Sequence, residues 1–565
     1  MSDWLWWRDG VVYQIYPRSF QDANGDGVGD LEGIRQRLDH LAWLGVDAIW
    51  LSPCFPSPMA DFGYDVADYC DIDPLFGTLA DFDRLLADAH TRNIKVVLDW
   101  VPNHTSDRHG WFVESRASRD NAKRDWYVWR DAKPDGSMPN NWTSMFGGPA
   151  WEPDDTTGQL YLHSFLKEQP DLNWRNPELV EAMHDVLRFW LDRGVDGFRI
   201  DVIHRIAKDA ALRDNPPAPG SLYTWGNQRH DHDENHPDIH AELRALRAIT
   251  DSYRERMLVG EIGLPPKEVA TYYGDGDELH LGFNFAFLHC PWDAARFRTE
   301  IERFERLLPP GAWPDFVLSN HDVPRHASRY GQPAGREAPG PPGHQTGREA
   351  PGPPGHQTGR EAPGPPGHQT GGDARARLAA MMLLTLRGTP FLYYGEEIGM
   401  RNVPVPEDRL QDPLARTLHP SLSRDPERTP MCWNATPNAG FTTAATPWLP
   451  IGPQPPRTDV ATQREDRASL LWLYKNLLAL RRNHDSLHRG SYRSLDAPEG
   501  VLTYERRSNS EIARVALNFS DQPRNISLGS GRITHQLHTN ASAAVATSAD
   551  LRLGPCEGVV LIFTT

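Results

Sequence analysis

The chain has 565 residues, of which 39% are hydrophobic and 24% are charged, a composition typical of folded globular proteins with more than one core. The formal charge of −17 at pH 7 excludes the basic surface that nucleic acid requires, and it favours a neutral ligand. The five cysteines lack CxxC spacing, which argues against a disulfide framework or a zinc motif and favours a reducing compartment.

The N-terminus, MSDWLWWRDGVVYQIYP, enters strand-like sequence almost at once and lacks the basic and apolar regions of a secretion signal. No apolar run approaches the roughly 18 residues of a membrane helix. We therefore expect a cytoplasmic protein that contacts neither membranes nor nucleic acid. A monomer or a homodimer is expected.

Oxygen-bearing side chains alternate in the segment DANGDGVGD, directly after the first predicted strand. The candidate metal ligands are Asp22, Asn24, Asp26 and Asp30. Hard oxygen ligands of this kind suit Ca²⁺ or Mg²⁺. The segment resembles the start of an EF-hand loop, but the position of the bidentate glutamate is Gly33, so it is not an EF-hand. A metal-free turn rich in Asp and Asn is the alternative.

Short runs of β-branched and apolar residues recur along the chain, each followed by helical periodicity. The eight candidate strands are Val11–Tyr16, Val46–Leu51, Lys95–Val101, Gly194–Asp201, Met257–Ile262, Leu281–Phe285, Phe316–Asn320 and Pro390–Tyr394. Apolar strands alternating with helices indicate a parallel sheet covered on both faces. Eight such units predict a (β/α)8 TIM barrel, over residues 1–103 and 174–482.

Two further regions are predicted outside the barrel units. Residues 104–173 are rich in Trp, Pro, Asn and Asp and are too long for an ordinary loop. We interpret them as an inserted subdomain after strand 3, on the barrel rim where active sites lie; a solvated excursion is the alternative. Residues 483–565 show short alternating strands and predict a C-terminal antiparallel β-sandwich.

A perfect triple repeat of GREAPGPPGHQT covers residues 335–370. Its glycines do not recur at every third position, so it is not collagen-like, and its Pro and Gly content cannot form a packed unit. The sequence predicts a disordered loop after the seventh strand. It is either a flap that affects access to the barrel rim or a neutral expansion of a surface loop.

Several ionisable side chains lie at the C-terminal ends of predicted strands. The carboxylates are Asp99, Asp201, Glu261 and Asp322, and the basic residues near them in sequence are His104, Arg199 and His321. In a barrel these strand ends converge. Acidic groups near an apolar core are unfavourable unless they have a function, so together they suggest an active site.

Four motifs, DWVPNH, GFRIDVIHR, MLVGEIG and LSNHD, occur in this order and resemble the signature regions of glycoside hydrolase family 13. QPDLN, GTPFLYYGEEIGM and RDPERTPMCWN are similar to its α-glucosidase and oligo-1,6-glucosidase branch. The resemblance covers about the whole chain except the triple repeat. It implies a retaining exo-α-glucosidase that releases terminal glucose from short maltose- or isomaltose-type substrates through a covalent glucosyl-enzyme, with transfer to hydroxyl acceptors.

The resemblance assigns roles to the acids. Asp201 matches the nucleophile and Glu261 the general acid/base, the two carboxyl groups that retaining hydrolysis needs about 5 Å apart. Asp322 matches a third carboxylate, expected to hold the 2- and 3-hydroxyls of the sugar. Arg199, two residues before the nucleophile on the same strand face, is expected to keep Asp201 ionised.

The resemblance also implies a glucose pocket. His104 and His321 match hydroxyl-binding histidines. The segment ADFGYDVADY at 60–69 resembles the one that closes the nonreducing end of the site. Asp61 would bind the 4-hydroxyl beside an arginine, and Tyr64 would stack on the sugar ring.

For several other residues the sequence leaves two roles open or gives a role only through the resemblance. The arginine beside the 4-hydroxyl is either Arg424 or Arg428, both in RDPERTP. Phe146 and Phe165 are either pocket walls or core residues. The resemblance implies a structural Ca²⁺ or Mg²⁺ in the DANGDGVGD segment, with the carbonyl of Val28 as a further ligand, and no organic cofactor.

The sequence does not decide which glycosidic linkage is preferred, and it leaves two interpretations of a histidine-rich segment. Val202 follows the nucleophile and resembles the residue of α-1,6-acting relatives, but one side chain does not decide the linkage. HDHDENHPDIH at 230–240 suggests a transition-metal site. We interpret it instead as part of a loop over the pocket, shaped in part by His240.

Two alternatives to an α-glucosidase remain. An isomerase or hydrolase directed at sucrose or trehalose uses the same catalytic groups. A noncatalytic, transporter-associated relative has a membrane anchor and lacks the full set of acids, neither of which fits this sequence. The expected partner is therefore a small oligosaccharide or disaccharide together with hydroxyl acceptors.

Overall fold

The computed structural model describes residues 4–218, 220–221, 224–331, 371–543, 546 and 550–564. The predicted triple-repeat loop at 335–370 lies outside these residues. Within the described ranges, a helix with the length and apolar character needed to cross a lipid bilayer does not occur.

A curved sheet of parallel strands forms the centre of the described structure and confirms the predicted barrel. The barrel strands, numbered in chain order, are β1 Val12–Ile15, β2 Ala48–Leu51, β3 Lys95–Trp100, β4 Gly197–Ile200, β5 Met257–Gly260, β6 Leu281–Gly282, β7 Asp315–Val317 and β8 Thr389–Tyr393. They are hydrogen-bonded in the order β7-β8-β1-β2-β3-β4-β5-β6. Each therefore corresponds to one predicted strand, and β6 and β7 stand at the two ends of the sheet.

Helices alternate with these strands and share one large apolar cluster with them. The helices span Trp6–Asp9, Pro17–Phe20, Leu31–Leu44, Leu79–Thr91, Gly110–Ala117, Pro177–Arg193, Ile239–Asp251, Pro266–Thr271, Phe285–Leu288, Ala294–Leu307, His326–Arg329, Gly371–Thr385, Pro413–Thr417, Val460–Glu465, Leu470–Asn483 and Asp485–His488. Several begin at polar caps; Thr78, for example, forms a capping box with Asp81, which satisfies main-chain donors at the helix start.

Seven of the eight observed strands are shorter than predicted, and in two of them the local reason is clear. The prediction placed Gly194 in a strand, but Gly194 ends the preceding helix with a φ of 106°, a left-handed conformation that glycine adopts readily. The prediction also extended the sixth strand to Phe285. There the side chain of Asn284 accepts the main-chain N–H of Phe287, so a helix begins instead.

Residues 104–173 contain a small antiparallel sheet whose three strands are Trp129–Arg130, Trp151–Pro153 and Leu160–Leu162. Its own apolar cluster includes Trp142 and Trp151. The bridge between His104 and Asp171 joins the two ends of this segment. The segment therefore leaves the barrel and returns to it beside β3.

The C-terminal strands confirm the predicted antiparallel sandwich. They are Ser491–Ser494, Val501–Arg507, Glu511–Asn518, Arg524–Ser527, Ile533–His538, Asp550–Leu553 and Gly558–Thr564. Five form one sheet and two form a second. An apolar cluster joins the sheets, with Val559 and Phe563 from the larger one and Ile526 and Leu553 from the smaller.

Candidate active site

The C-terminal ends of the barrel strands carry the predicted acids. Asp99 lies in β3 and is the cross-strand neighbour of Arg199 in β4. Asp201 directly follows β4, and Glu261 directly follows β5. Asp322 lies in the loop after β7. The parallel arrangement thus brings all four carboxylates to one end of the barrel, as predicted from their strand positions.

Arg199 joins three of these carboxylates. Its Nη1 lies 2.7 Å from Asp99 Oδ1 and 2.8 Å from Asp201 Oδ1. Its Nη2 lies 2.5 Å from Glu261 Oε2. The main-chain N–H of Val202 donates to the same Glu261 oxygen over 3.2 Å. One buried guanidinium therefore fixes the positions of Asp201 and Glu261 relative to each other.

The pKa of Asp201 is shifted in the direction opposite to the one expected from Arg199. Burial raises the pKa of Asp201 well above its ordinary value, and although Arg199 lowers it, the charges of Glu261 and Asp99 raise it further. We expected Arg199 to keep Asp201 ionised; desolvation outweighs its charge. The side chains of Asp201 and Glu261 also interact directly.

Asp99 lies beneath this pair. Burial raises the pKa of Asp99 to about 7, against the opposing charge of Arg199. Its Oδ2 accepts hydrogen bonds from Trp50 Nε1 at 3.1 Å and from the Tyr64 hydroxyl at 3.2 Å. Asp99 therefore fixes the positions of Arg199 and Tyr64 through hydrogen bonds.

Tyr64 and His321 stack with ring centroids 5.4 Å apart and an angle of 5° between the rings. The Gln14 amide lies 2.9 Å from His321 Nδ1, so Nδ1 accepts and Nε2 carries the proton. His321 Nε2 lies 2.5 Å from the Tyr64 hydroxyl and 3.2 Å from Asp322 Oδ2. Burial lowers the pKa of His321 to about 3, so the imidazole is neutral near pH 7.

Arg424 closes one end of the site. Its Nη2 lies 2.9 Å from Asp61 Oδ1 and its Nη1 3.1 Å from Asp322 Oδ1. Asp412 holds the guanidinium from behind, with Nη2 2.8 Å from Asp412 Oδ1. Of the two arginines that sequence left open, Arg424 is therefore the one beside Asp61.

Arg428 lies deeper and is 1% exposed. It donates to the carbonyl of His321 over 2.7 Å and to Asp322 Oδ1 over 2.8 Å. Burial would raise the pKa of Asp322, but the charges of His321, Arg424 and Arg428 outweigh it and hold the pKa well below its usual range. Since His321 is neutral, we attribute the ionised state of Asp322 to the two arginines.

His104 joins the opposite wall through Gln169. The Gln169 amide nitrogen lies 3.0 Å from His104 Nε2 and 3.3 Å from Asp61 Oδ2. Burial lowers the pKa of His104 to about 4, so it is also neutral. We did not predict a role for Gln169, although it begins the QPDLN motif.

Apolar side chains border the site on the side of the inserted segment. Phe146 and Phe165 belong to one cluster with Val202. The Phe146 ring lies 5.9 Å from Arg424 Cζ, and the Phe165 ring 5.0 Å from that of His104. Both phenylalanines therefore contact residues of the site, which favours the pocket-wall alternative over plain core packing.

Sequence reasoning missed two acids that hold the site together. Asp412 lies outside every matched motif, and nothing in the local sequence signals its contact with Arg424. Asp65 is fully buried and accepts the main-chain N–H groups of Ala60 and Asp61, each over 2.9 Å. Its signal was its place in the ADFGYD segment, four positions after Asp61.

The DANGDGVGD loop is held by main-chain hydrogen bonds. Asp22 accepts the N–H groups of Gly25 and Gly27 over 2.7 and 2.8 Å. Asp26 accepts that of Val28 over 2.8 Å, and the main chain of Asp26 donates to the Asn24 side chain over 2.8 Å. Asp30 caps the helix Leu31–Leu44.

The histidine-rich segment forms ion pairs and stacks. His230 lies 2.9 Å from Asp233 and stacks on Trp225, and His240 lies 2.8 Å from Glu278. Across the described parts of the chain, no group of three or more His, Cys, Asp or Glu side chains has an arrangement that could hold a metal ion. The interpretation of this segment as part of a loop rather than a transition-metal site stays a prediction.

Comparison with known proteins agrees with this geometry. The α-amylase catalytic-domain model matches residues 14–339 and 367–490. A probable α-glucosidase of Rhizobium meliloti (strain 1021) is 44% identical over 532 residues, 92% of this chain and 90% of the relative. An oligo-1,6-glucosidase of Parageobacillus thermoglucosidasius is 39% identical over 554 residues, 92% of this chain and 91% of the relative.

Two solved structures are similar over the full length. The crystal structure of the α-glucosyl transfer enzyme XgtA is 40% identical with a TM-score of 0.87, covering 99% of this chain and 100% of that one. The trehalulose synthase MutB from Pseudomonas mesoacidophila MX-45 is 35% identical with a TM-score of 0.83, covering 99% of each chain. The chain therefore belongs to glycoside hydrolase family 13, the α-amylase family, and within it resembles the α-glucosidase and oligo-1,6-glucosidase branch.

Proposed function

We propose that the protein is a retaining exo-α-glucosidase acting on maltose- or isomaltose-type substrates, with transfer of glucose to hydroxyl acceptors. The observation that carries this proposal is the contact of Arg424 with both Asp61 and Asp322. In this proposal the charged groups close one end of a pocket for a single sugar ring, beside Phe146. A site closed at one end accepts a chain terminus rather than an internal sugar.

The contacts of Arg199 suggest which atoms react. Arg199 occupies Oδ1 of Asp201, so Oδ2 is the oxygen that attacks the anomeric carbon and displaces the glycosidic oxygen. Arg199 and the N–H of Val202 occupy Oε2 of Glu261, so Oε1 delivers the proton to that oxygen. Glu261 then takes a proton from water or from an acceptor hydroxyl, which attacks the glucosyl-Asp201 ester and restores the α-configuration.

Product analysis tests this function. Purified protein is incubated with maltose, isomaltose, sucrose and maltotetraose, and products are followed by NMR from the first turnover. We expect α-glucose to appear first from at least one α-glucoside, together with transfer products at high substrate concentration. β-Glucose as the first product would exclude the retaining mechanism, and internal cleavage of maltotetraose would exclude the exo mode.

Isomerisation of sucrose is the second candidate function. It is favoured by the similarity to the trehalulose synthase MutB, because the same glucosyl-enzyme would serve hydrolysis, transfer and isomerisation. The sucrose arm of the same experiment separates them: an isomeric disaccharide as the main product would favour isomerisation, whereas glucose with fructose would favour hydrolysis.

The pH dependence of KM tests the proposed role of Asp61. Burial raises the pKa of Asp61 to about 6, although Arg424 lowers it. Below this pH the carboxyl becomes neutral and its bond to a sugar hydroxyl weakens. We therefore expect KM to fall as pH rises from 5 to 7, and Asp61→Asn to have a higher KM without this dependence. A variant with the same pH profile as wild type would contradict the role.

The raised pKa of Asp61 also determines how the stability of the folded protein changes with pH. The ordinary pKa of an unfolded Asp is about 3.9, below the value of about 6 in the folded protein. The folded state therefore binds the proton more tightly, and the contribution of Asp61 to stability is lost as pH rises from about 4 through 6. Asp61→Asn should reduce the pH dependence of Tm in this window.

We propose that the DANGDGVGD loop binds a structural Ca²⁺ or Mg²⁺ after its side chains turn inward, since its three aspartates do not form a metal-binding group in the described arrangement. Its donors are hard oxygens, and Asn24 and Asp26 are exposed, so their side chains can turn toward an ion. Each carboxylate oxygen that accepts a main-chain N–H keeps a second lone pair. Asp22, Asn24, Asp26, Asp30 and the Val28 carbonyl would hold the ion, which would fix the loop beside the helix Leu31–Leu44.

Metal removal is expected to lower Tm by a few degrees, because an ion at a hundredfold excess over its Kd contributes about 3 kcal/mol. Scanning calorimetry with EDTA, Ca²⁺ and Mg²⁺ measures the shift. Asp26→Ala should have a Tm close to that of the metal-free wild type and should not respond to EDTA. If neither cation changes the wild-type Tm, the loop is a metal-free turn.

A further inference from the structure

A buried arginine lies behind the segment that carries Asp61 and Tyr64. Arg18 is 9% exposed, and its Cζ lies 4.9 Å from the centroid of Phe62 and 4.7 Å from that of Trp448. Its Nη1 contacts Met59 Sδ at 3.3 Å. Among the described residues no carboxylate forms a salt bridge with Arg18, although Asp73 and Asp26 attract it at longer range. A guanidinium in this setting interacts mainly through its planar faces.

The segment that Arg18 contacts is strained. Met59 and Phe62 have φ values of 65° and 50°, in the left-handed region that side chains other than glycine rarely adopt. Asp61 lies between them, and Tyr64 follows. Such conformations persist only where surrounding contacts impose them, and they cluster at functional sites. Within segment 59–64, Met59 and Phe62 are the residues whose side chains Arg18 contacts.

Trp448, the second ring that Arg18 contacts, is hydrogen-bonded to the DANGDGVGD loop. The main-chain N–H of Trp448 donates to the carbonyl of Gly27 over 2.9 Å, and that of Gly29 donates to the carbonyl of Arg18 over 2.8 Å. Trp448 Nε1 donates to the Ser19 hydroxyl over 3.0 Å. Arg18 therefore connects a well-anchored region of the barrel to the strained segment.

From this arrangement we propose that Arg18 is a positioning residue for glucose binding. Packed against Phe62 and against Trp448, whose rings also contact each other, it holds the strained segment 59–64 so that Asp61 reaches the sugar and Arg424. Arg18 touches no substrate in this scheme and acts only through Asp61 and Tyr64. The role in binding rests on the proposed glucosidase function, but the ordering of the segment does not.

Hydrogen–deuterium exchange tests the ordering directly and does not depend on turnover. In Arg18→Leu, the amides of Ala60 and Asp61 should exchange about tenfold faster, because two cation–π contacts are lost. Arg37→Leu is the matched control, since Arg37 lies 4.2 Å from the Trp433 ring and contacts Gln21 without touching segment 59–64. Unchanged exchange in Arg18→Leu, or an equal change in the control, would overturn the proposal.

A double-mutant cycle tests the consequence for binding. Arg18→Leu should raise KM about tenfold with little change in kcat, since it weakens a contact made in both ground and transition states. In the Asp61→Asn background the same substitution should change KM much less, because its effect passes through Asp61. An equal effect in both backgrounds would mean that Arg18 is only structural.

Failure of the proposed glucosidase function and failure of the Arg18 proposal can be told apart. If wild type releases no glucose from any tested sugar, the proposed function fails while the exchange result still decides the ordering. If Arg18→Leu does not fold, Arg18→Lys replaces it, because the ammonium keeps the charge but lacks the planar face. Faster exchange of the Ala60 and Asp61 amides is still expected in this variant. Exchange at the wild-type rate would refute the positioning role of Arg18.

Discussion

Replacement of Asp201 by asparagine is expected to lower kcat/KM on the preferred disaccharide by a factor on the order of 10⁴ or more, as for other enzymes that lose a nucleophile. The amide cannot form the glucosyl ester. Its shape still fits between Arg199 and Glu261, so binding of glucose should persist. Initial rates and calorimetric glucose binding on the same preparation measure the two effects separately.

The stability of this variant gives a second readout. Burial raises the pKa of Asp201 well above its ordinary value, so ionising this carboxyl is less favourable in the folded state than in the unfolded state. Asp201→Asn removes that group and should fold with a Tm no lower than that of wild type. Asp39→Asn, on a carboxylate whose side chain is 84% exposed, is the control and should keep full activity. Activity within tenfold of wild type in Asp201→Asn would exclude this nucleophile.

Much of this site was predictable because strand order determines where side chains meet. Asp99, Asp201 and Glu261 lie at or directly after the ends of apolar runs, and parallel strands in a barrel place those ends together. The motifs then supplied the roles that position alone does not give. Predictions of this kind need only the local sequence and the topology.

Contacts between distant segments were not predictable in the same way. Asp412 contacts Arg424 and helps to hold it beside Asp61, but in sequence Asp412 shows only the cap of the short helix Pro413–Thr417 and belongs to no matched motif. The choice between Arg424 and Arg428 likewise depended on which one the fold brings next to Asp61. Such pairings arise from the packing of loops, which local sequence patterns do not encode.

Charge balance was the other quantity that sequence could not give. Arg199 was expected to keep Asp201 ionised, and it does lower the pKa of that carboxyl. The same arginine, however, also serves Asp99 and Glu261, and all of these groups are removed from water. Whether one guanidinium outweighs the desolvation of three carboxyls depends on burial, which only the folded structure supplies.

Glu261→Gln is expected to separate the proton-transfer role from the nucleophilic one. Loss of a general acid should lower kcat on maltose or isomaltose by about 10²- to 10⁴-fold, because a sugar alkoxide leaves poorly without a proton. A 4-nitrophenyl α-glucoside, whose leaving group needs no proton, should be much less affected in its first step. Stopped-flow release of nitrophenol, followed by slow turnover, would report accumulation of the glucosyl-enzyme.

The contrast between the two substrates makes this test specific to Glu261 as an acid. A glutamine can still accept hydrogen bonds from Arg199 and the N–H of Val202, so the position of the side chain should be preserved while its proton is lost. Glu278→Gln, in a buried carboxylate paired with His240 and Arg244, is the control for a general loss of packing and should affect both substrates alike. If Glu261→Gln also slowed both substrates equally, the residue would orient Asp201 through their direct contact, and the proton would have to come from another group.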